Sequence, residues 1–459
     1  MPKVVILGAG LTGLSTAYHL EKAGFFDYQL FEKQDRAGGL LRSFQQDGFT
    51  FDFTGHLLHI SDSYFKSFLQ TTANLDNFNL VQRRSGIYLH HQITDYPFQI
   101  NLHGRDASVI YDCLNGFINR HKSLKKPQNF YEWVLKYFGK GFGKHFFFPY
   151  QAKILSCDIK KLMPSWTGRF VPKTTLKDIV YGAVKTKTGV GYNSSFYYPK
   201  QGGIEFIIKN ITPKLSNQPH INHNASIIDL ADKKIHFDNG NHTSFEILVT
   251  TLPLDQLLTS ITNASHTTWN QTSKKLSCAG VLNFNIGFDK EDIADKHWLY
   301  YPEKQYPFYR LGFWNNINPT SVKQGSSAIY GECSYLRGSK TMNQLEQITK
   351  NALSKALETL HLTHDNIITQ KILNLEHAYV IYDQWREKNL TKLLANLQEH
   401  NIYSIGRFGE WKYSSMQEAV LDGKKVAETI LAQLGHTHTS TPPSLPILHK
   451  PQHHKGHRL

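Results

Sequence analysis

Residues 3–42 read KVVILGAGLTGLSTAYHLEKAGFFDYQLFEKQDRAGGLLR, and the fold is predicted first from this segment. Lys3 to Leu7 has the apolar composition of a short buried strand, and Leu14 to Lys22 has the apolar spacing of a helix that stops at Gly24. Tyr28 to Glu32 is typical of a second strand. The order strand, glycine-rich turn, helix and strand predicts a βαβ unit.

The three glycines of the turn have separate physical tasks. Gly8 allows the tight turn, Gly10 lets a pyrophosphate approach the backbone, and Gly13 lets the helix pack closely on the strand. The helix N-terminus then offers N–H groups and the positive end of its dipole to the phosphates. Glu32, at the end of the second strand, is the acid expected to accept hydrogen bonds from ribose hydroxyls. The turn therefore predicts a dinucleotide-binding site.

A second glycine cluster follows in Arg36 to Ser43, which reads RAGGLLRS. The doublet Gly38-Gly39 can form a backbone nest for an anion, with Arg36 and Arg42 adding charge-assisted contacts. With these residues the chain resembles the glutathione-reductase-type flavoproteins that include amine oxidases, protoporphyrinogen oxidases and UDP-galactopyranose mutases. In that family the doublet lies against FAD, so the resemblance implies FAD as a tight, noncovalent cofactor.

The resemblance continues into the segment Phe51 to His59, which reads FDFTGHLLH. It looks like the glycine-histidine segment of the mutases, whose histidines lie beside the isoalloxazine ring. The resemblance implies that His56 and His59 tune the flavin or assist proton transfer. A packed histidine satisfied by backbone groups is the equally weighted alternative for each.

Further stretches resemble the same family. The segments 149–153 and 164–166 look like the stretch that leads into a helical substrate module. Tyr197 to Gly203 resembles the turn back into the FAD domain, and Val249 to Pro253 resembles the strand end that passes the cofactor.

The last folded stretch, Gly406 to Met416, reads GRFGEWKYSSM and resembles the closure of the flavin site. It follows a strand and opens a helix, so N–H groups near Ser415 and Met416 are expected to face the flavin's pyrimidine end and stabilise its reduced, anionic form. Arg407 and Tyr413 fall where the mutases hold the substrate diphosphate.

Other positions depart from the mutase pattern. Ser415 and Gln417 stand where the mutases carry acids, and Lys173-Thr174 stands where a second substrate arginine is expected. These departures favour an oxidoreductase over a strict mutase.

The resemblance implies two groups of site residues. The expected catalytic residues are His56, His59, Arg407 and Tyr413. The expected FAD contacts are Gly8, Gly10, Leu11, Thr12, Gly13, Glu32, Lys33, Arg36, Gly38, Gly39, Leu40, Leu41, Arg42, Gly55, His56, Ala225, Thr251, Gly406, Arg407, Ser415 and Met416.

The fold class expected from these signals is α/β, with a glutathione-reductase-type Rossmann domain and a discontinuous α+β substrate domain. We assign residues 1–60, 198–260 and 396–434 to the FAD domain and residues 61–197 and 261–395 to the substrate domain. The first insertion is expected to be mostly helical and the second rich in strands. The basic tail 435–459, rich in histidine and proline, has no periodicity and is expected to be disordered.

Charge is concentrated in one part of the 459-residue chain, whose net charge is +14. Residues 120–187 hold 15 Lys and Arg against three acids, an excess of 12. This segment is either a solvated helical surface or a face that attracts an anionic ligand or an acidic membrane surface. None of the standard nucleic-acid-binding motifs is present, so nucleic acid is not an expected partner.

Localisation and metal binding are judged from cysteine and apolar patterns. The four cysteines lie far apart without a C-x-x-C pair, which suits reduced thiols in the cytoplasm. No apolar run approaches the roughly 18 residues of a membrane span, and no metal-ligand spacing is evident. The oligomeric state is left open by the sequence.

Three functions remain open at this level. The first is an FAD-dependent oxidoreductase of the amine oxidase and protoporphyrinogen oxidase type, which moves a hydride from a C–N or C–C bond to flavin N5. The second is a flavin-dependent sugar-nucleotide isomerase like the galactopyranose mutases, acting on an anionic small molecule. The third is a flavin-binding protein with a structural role. The aromatic segments 297–301 and 307–310 either line a substrate pocket or belong to the core.

Overall fold

The computed structural model describes residues 3–186, 193–262 and 266–436, so the predicted tail lies almost wholly outside the described residues. The strands are β1 (Val4–Leu7), β2 (Tyr28–Phe31), β3 (Ser43–Gln46), β4 (Phe49–Asp52), β5 (Phe78–Gln82), β6 (Ser85–Leu89), β7 (Gln92–Asp95), β8 (Ser195–Pro199), β9 (Ala225–Asp229), β10 (Lys234–Phe237), β11 (His242–Ser244), β12 (Ile247–Thr250), β13 (Ile261–Thr262), β14 (Cys278–Phe288), β15 (Trp298–Tyr300), β16 (Arg310–Phe313), β17 (Ser327–Leu336), β18 (Ile367–Val380) and β19 (Ile402–Ser404). The helices are α1 (Leu11–Lys22), α2 (Ser63–Ala73), α3 (Ala107–Ile118), α4 (Phe130–Tyr137), α5 (Gly139–Phe142), α6 (Phe148–Leu155), α7 (Thr167–Phe170), α8 (Leu176–Val184), α9 (Phe206–Ile211), α10 (Leu254–Ser260), α11 (His266–Ser273), α12 (Trp314–Ile317), α13 (Met342–Leu360), α14 (Gln384–Glu399), α15 (Gly406–Gly409) and α16 (Met416–Gln433).

A parallel four-stranded sheet gathers distant parts of the chain in the order β19-β12-β1-β2. All four residues of β1 are buried, as a central parallel strand requires. The predicted α/β class and the opening βαβ unit are confirmed. Because the strands come from residues 1–60, 198–260 and 396–434, we propose that these three segments form the FAD domain.

Helices α1 and α16 pack side by side; α1 follows β1 through the glycine turn, and α16 follows β19 through the closure that contains α15. The Ser15 hydroxyl donates to the Val420 carbonyl at 2.7 Å. A Cβ at Gly423 would lie 2.7 Å from the Ser15 Cβ, so only glycine permits this close approach. Two helix N-termini, one near each end of the chain, therefore face the same edge of the sheet.

A seven-stranded sheet joins the two insertions in the order β18-β14-β17-β16-β15-β6-β7. The described part of residues 61–197 is mostly helical, as predicted, but it also contains β5 to β7 and the start of β8. These strands pair with distant partners: β5 pairs with β8, and β6 pairs with β15 as well as with its neighbour β7. Pairing across so many residues leaves no local signal in the sequence.

The turn back into the FAD domain is held by one buried carboxylate. Asp52 accepts hydrogen bonds from the Ser43 hydroxyl at 2.6 Å, the Tyr198 hydroxyl at 2.7 Å and the Ile204 N–H at 3.0 Å. Gly203 has a φ of +66° and a Cβ there would lie 2.6 Å from Asp52 Oδ1. The glycine of this turn is therefore needed for both its backbone angle and its close contact.

The side chain of His19 in α1 links this helix to Tyr64 in α2. Its Nδ1 lies 2.6 Å from the Ser15 carbonyl and its Nε2 lies 2.5 Å from the Tyr64 hydroxyl. A neutral imidazole satisfies both contacts, donating to the carbonyl and accepting from the hydroxyl. Burial lowers the pKa of His19 to about 4.

This histidine links stability to pH. Unfolded, His19 takes up a proton below about pH 6.5, whereas the folded ring stays neutral down to about pH 4. The stabilisation that His19 contributes is therefore fully present above the pKa of His19 in the unfolded chain. It is lost as the pH falls toward the pKa of His19 in the folded chain. Replacing His19 by Gln should reduce the fall in unfolding free energy between about pH 7 and about pH 5 by about 2 kcal/mol. Denaturant titrations of both proteins measure this difference, and an equal fall in the variant would contradict it.

Two further observations concern the chain as a whole. Cys113, Cys278 and Cys333 are buried free thiols and Cys157 is a partly buried one. Among the described helices, none combines the length and the apolar character that crossing a membrane requires.

Candidate functional site

Two adjoining cavities lie where the parallel sheet meets the seven-stranded sheet. The dinucleotide cleft, about 770 Å³, runs past the carboxyl ends of β1, β2 and β12. The aromatic cavity, about 320 Å³, lies between the helical insertion and β16, β18 and the closure. Six residues line both and form the boundary between them: Tyr309, Arg310, Tyr379, Arg407, Ser414 and Ser415.

The glycine turn builds the phosphate end of the cleft. Gly8 has a φ of +98° and a Cβ there would lie 2.2 Å from Thr251 Oγ1. A Cβ at Gly13 would lie 1.9 Å from the Gly8 carbonyl oxygen. Gly10 caps α1 without a side chain, so the first N–H groups of the helix are left for a ligand. The cleft has the shape and donors that a pyrophosphate needs.

Glu32 is fixed in the orientation expected for binding a ribose. Its Oε2 accepts from the Ala9 N–H at 2.9 Å and its Oε1 from the Gln34 N–H at 3.0 Å. Each oxygen keeps a second lone pair for a ribose hydroxyl. Lys33 and Ala225 line the same end of the cleft, as the sequence predicts.

The two arginines of the second glycine cluster have different roles. Arg42 lines the cleft, with its Nε 3.2 Å from the Gly39 carbonyl and its guanidinium over the Phe53 ring. Arg36 is not among the lining residues, because its Nε binds the buried Glu205 carboxylate at 2.9 Å. The expected contact of Arg36 with the cofactor stays a prediction, since the Arg36 side chain is held by Glu205 beside the cleft.

The glycine-histidine segment lies in the wall of the cleft near the boundary. A Cβ at Gly55 would lie 2.2 Å from the Tyr330 hydroxyl oxygen, so this loop packs directly on the seven-stranded sheet. Burial, followed by the positive charges of Arg407 and Arg310, lowers the pKa of His56 to about 3. His56 is therefore a neutral imidazole at physiological pH. Its nearest side-chain partner is Thr54, whose hydroxyl lies 3.1 Å from Nδ1.

His59 also lines the cleft, with its Nδ1 3.1 Å from the Ser195 carbonyl. Burial lowers its pKa as well. This backbone contact is the packed arrangement that the sequence left open as an alternative to a catalytic role.

The closure, Gly406 to Met416, contacts helix α1. Gly406 has a φ of +78° and a Cβ there would lie 2.8 Å from Thr12 Oγ1. Ser415 caps α16: its N–H donates to the Glu418 carboxylate at 2.7 Å, and its hydroxyl accepts from the Glu418 N–H. Because the Ser415 N–H is used inside this capping box, Met416 offers the first N–H of the helix that is left for the flavin.

Arg407 is held at the boundary by uncharged groups. Its Nη2 donates to the Ala378 carbonyl at 2.9 Å and its Nη1 donates to the Ser414 carbonyl at 2.8 Å. Its guanidinium also lies 5.5 Å from the centre of the Tyr379 ring. Neither carbonyl neutralises the charge, so Arg407 presents a full positive charge to both cavities.

Tyr413 lies in the wall of the aromatic cavity. Its hydroxyl and the Trp166 indole N–H are buried without a hydrogen-bond partner among the described residues. The two rings pack edge to face at 5.6 Å, and burial holds the pKa of Tyr413 well above its ordinary value. Each therefore remains a neutral donor that lacks an acceptor, which is the arrangement left when a ligand supplies one.

A buried ion pair that the sequence does not predict lies beside these residues. Arg310 binds Glu332 through two hydrogen bonds, of 2.6 and 2.7 Å. Although burial opposes the charge, the Glu332 carboxylate holds the pKa of Arg310 well above its ordinary value. The pair arises because β16 and β17 place these residues opposite each other. Only the pairing of β16 with β17 brings the two residues together, and this pairing cannot be read from the sequence.

The aromatic segments divide between the core and the cavity. Tyr300, Tyr309 and Arg310 line the aromatic cavity. His297 is buried elsewhere and accepts from the Arg84 N–H at 2.8 Å. Tyr379 and Tyr413 complete the tyrosine lining with Tyr96 and Tyr150.

The fold and the cleft define an FAD-binding α/β flavoprotein with a second, aromatic cavity beside the cleft. Residues 11–431 match the family described as flavin containing amine oxidoreductase. The chain belongs to this family, which confirms the predicted resemblance, the FAD cofactor and the assignment to flavin-dependent oxidoreductases.

The individual curated relatives share only part of the chain at low sequence identity. The chain is 22% identical to the 4,4'-diapolycopene oxygenase of a Methylomonas species over 332 residues, 65% of each chain. It is 30% identical to the 4,4'-diapophytoene desaturase of Staphylococcus aureus (strain COL) over 86 residues, which is 19% of this chain and 17% of that one. The aligned regions therefore cover less than two thirds of these curated relatives.

Solved structures extend the likeness over almost the whole chain. A reduced UDP-galactopyranose mutase superimposes with a TM-score of 0.87 at 27% identity, covering 94% of each chain. A putative protoporphyrinogen oxidase from Exiguobacterium sp. 255-15 superimposes with a TM-score of 0.72 at 14% identity, covering 94% of this chain and 98% of that one. The second likeness concerns the fold alone.

Proposed function

We propose that this chain is an FAD-dependent oxidoreductase whose substrate carries an anionic group that binds Arg407. The body of the substrate lies in the aromatic cavity, and its reacting C–H bond lies at the boundary with the dinucleotide cleft. FAD, when bound, supplies the hydride acceptor. The observation that supports the proposal is the positive charge of Arg407, held only by carbonyl groups where the cavities meet.

Charge selects the class of substrate. The Arg310 charge is matched by Glu332, whereas no carboxylate among the described residues pairs with Arg407. A guanidinium shielded from water attracts an anion and repels a protonated amine. An acidic or phosphorylated substrate is therefore favoured over the amines for which the family is named.

The cavity walls select the shape of the substrate. Tyrosine, phenylalanine and tryptophan rings surround the space, which suits a flat or weakly polar body such as a sugar or ring. The Tyr413 hydroxyl and the Trp166 indole N–H offer two donors to oxygen acceptors on that body.

The boundary between the two cavities offers no strong acid or base. The six boundary residues include no carboxylate, and the neighbouring His56 is neutral because of its lowered pKa. An imidazole with so low a pKa is too weak a base to take up a proton, but it can accept a hydrogen bond that orients a substrate hydroxyl or nitrogen as the hydride leaves carbon. We assign this role to His56.

A second candidate is a non-redox isomerase of the mutase type. It is favoured by Arg407 at the boundary and by Tyr413 in the wall of the aromatic cavity, since the mutase resemblance implies that both hold a substrate diphosphate. Two departures from the mutase pattern speak against it. Gln417 stands where the mutases carry an acid, and its side-chain oxygen accepts hydrogen bonds from the Ser61 and Asp62 N–H groups at 2.8 and 2.9 Å. Lys173 stacks on Tyr137 and does not line the aromatic cavity.

Anaerobic spectroscopy separates the two candidates. Bound FAD should be bleached by at least one member of a panel of carboxylated, phosphorylated and nucleotide-linked alcohols and sugars. If no member bleaches it, but a nucleotide sugar is isomerised after chemical reduction of the flavin, the isomerase replaces our proposal. Faster bleaching by neutral or cationic amines would contradict the role of Arg407.

The Arg407→Gln variant tests the anion site directly. We expect KM for the anionic substrate to rise on the order of a hundredfold, since a charge-assisted contact is removed. FAD content should remain near that of the unmodified protein. Arg386→Gln is the matched control, because Arg386 also binds a carbonyl, that of Trp411 at 2.8 Å, over a tyrosine ring, yet lines neither cavity. Equal loss of FAD and substrate binding in Arg407→Gln would mean that Arg407 acts on the cofactor.

A further inference from the structure

Helix α8 presents an apolar stripe to solvent. Leu176, Val180 and Val184 are 43%, 44% and 73% exposed and follow one another at intervals of four residues, which places them on one face. The opposite face is fixed, since Ile179 is buried and a Cβ at Gly182 would lie 2.0 Å from the Ile100 carbonyl oxygen. The stripe therefore cannot turn inward.

The neighbouring helix α3 extends this apolar surface. Tyr111 and Ile118 are 66% and 53% exposed and lie two helical turns apart on one face. Val109, Cys113 and Phe117 bury the opposite face, and α3 packs against α8. We name the exposed residues of the two helices the docking face: Tyr111, Ile118, Leu176, Val180 and Val184.

The docking face is surrounded by positive charge. Lys173, Lys177 and Lys185 are exposed on and beside α8, within the segment 120–187 that carries an excess of 12 basic residues. The acids within the two helices are engaged: Asp178 binds Thr175 in the cap of α8, and Asp112 binds Lys144 and His145. Apolar side chains with a basic rim match a bilayer surface that contains acidic lipids.

The docking face adjoins the aromatic cavity. Phe170 and Val171 line that cavity, and α8 begins five residues after Val171. The linking segment is tied to the cavity wall by Gln99, whose side chain donates to the Pro172 carbonyl at 3.2 Å. A surface that binds the docking face is therefore close to the mouth of the substrate cavity.

We infer that the docking face binds the surface of a membrane rich in acidic lipids. A second copy of the chain is a poorer occupant, because two strongly basic faces would be brought together. The inference goes beyond the proposed function and is independent of the reaction.

Vesicle flotation with the FAD-loaded protein tests this inference. Vesicles of phosphatidylcholine with about one third phosphatidylglycerol should carry the protein upward, and pure phosphatidylcholine vesicles should not, since acidic lipids supply the attraction. The variant Leu176→Ser/Val180→Ser/Val184→Ser should bind at least tenfold more weakly. Lys173→Gln/Lys177→Gln/Lys185→Gln should also weaken binding, which keeps the test valid if the apolar variant folds poorly.

Matched controls decide the outcome. Ile368→Ser/Ile372→Ser alters two exposed apolar residues of β18 on another surface and should bind vesicles like the unmodified protein. Retained FAD absorbance and an unchanged melting temperature show that each variant is folded. The inference fails if the unmodified protein ignores acidic vesicles or if the α8 and β18 variants bind equally. It also fails if the docking-face substitutions abolish a dimer in solution without changing flotation.

Discussion

Replacing Glu332 by Gln should destabilise the chain by about 3–5 kcal/mol, since it leaves a buried guanidinium without its counter-ion. Glu332 is 1% exposed and binds Arg310 through both carboxylate oxygens, at 2.6 and 2.7 Å. The amide of Gln can accept one of these hydrogen bonds but carries no charge. The loss is therefore electrostatic rather than one of packing.

The measurement is the free energy of unfolding of the FAD-loaded protein in denaturant. Glu387→Gln is the matched control, because Glu387 pairs with Arg386 at 3.2 Å in a more exposed position. That substitution should cost no more than about 1 kcal/mol. Similar losses in the two variants would show that burial does not strengthen the dependence of Arg310 on Glu332. Because Arg310 lines both cavities, the absorbance of bound FAD should also shift in Glu332→Gln.

This ion pair shows what the sequence can and cannot reveal. The phosphate end of the cleft was predictable because Gly8, Gly10, Gly13 and Glu32 lie within one βαβ unit, where spacing along the chain determines position in space. Arg310 and Glu332 meet only through the register of β16 and β17. Register depends on packing of the whole sheet, so no local pattern predicts the pair.

The same reasoning explains the other differences. In the first insertion, β5 pairs with β8 and β6 pairs with β15, and these partners lie far along the chain. The ion pair of Arg36 with Glu205 joins residues 169 positions apart, so the neighbours of Arg36 in the sequence do not predict it. The closure was placed correctly beside the cleft by its resemblance, whereas the capping box of Ser415 and Glu418 decides which N–H groups remain for the flavin.

Replacing Gly13 by Ala should abolish FAD binding, so that the purified variant is colourless. The added methyl group would lie 1.9 Å from the Gly8 carbonyl oxygen and 3.1 Å from its carbon. Both atoms belong to the backbone of the phosphate turn, which cannot move aside as a flexible side chain can. Either α1 shifts away from β1 or the turn opens, and both changes remove the N–H groups of Leu11 and Thr12 from the phosphates.

Absorbance of the purified protein and titration with free FAD measure this effect, and affinity should fall by at least a hundredfold. Gly168→Ala is the control, because a Cβ there meets nothing within 4 Å and α7 accepts alanine well. The far-ultraviolet circular dichroism of Gly13→Ala should stay close to that of the FAD-free parent, which separates lost binding from global unfolding. A yellow Gly13→Ala protein with one FAD per chain would show that FAD still binds when α1 and the Gly8 carbonyl move apart. The steric role assigned to Gly13 would then be wrong.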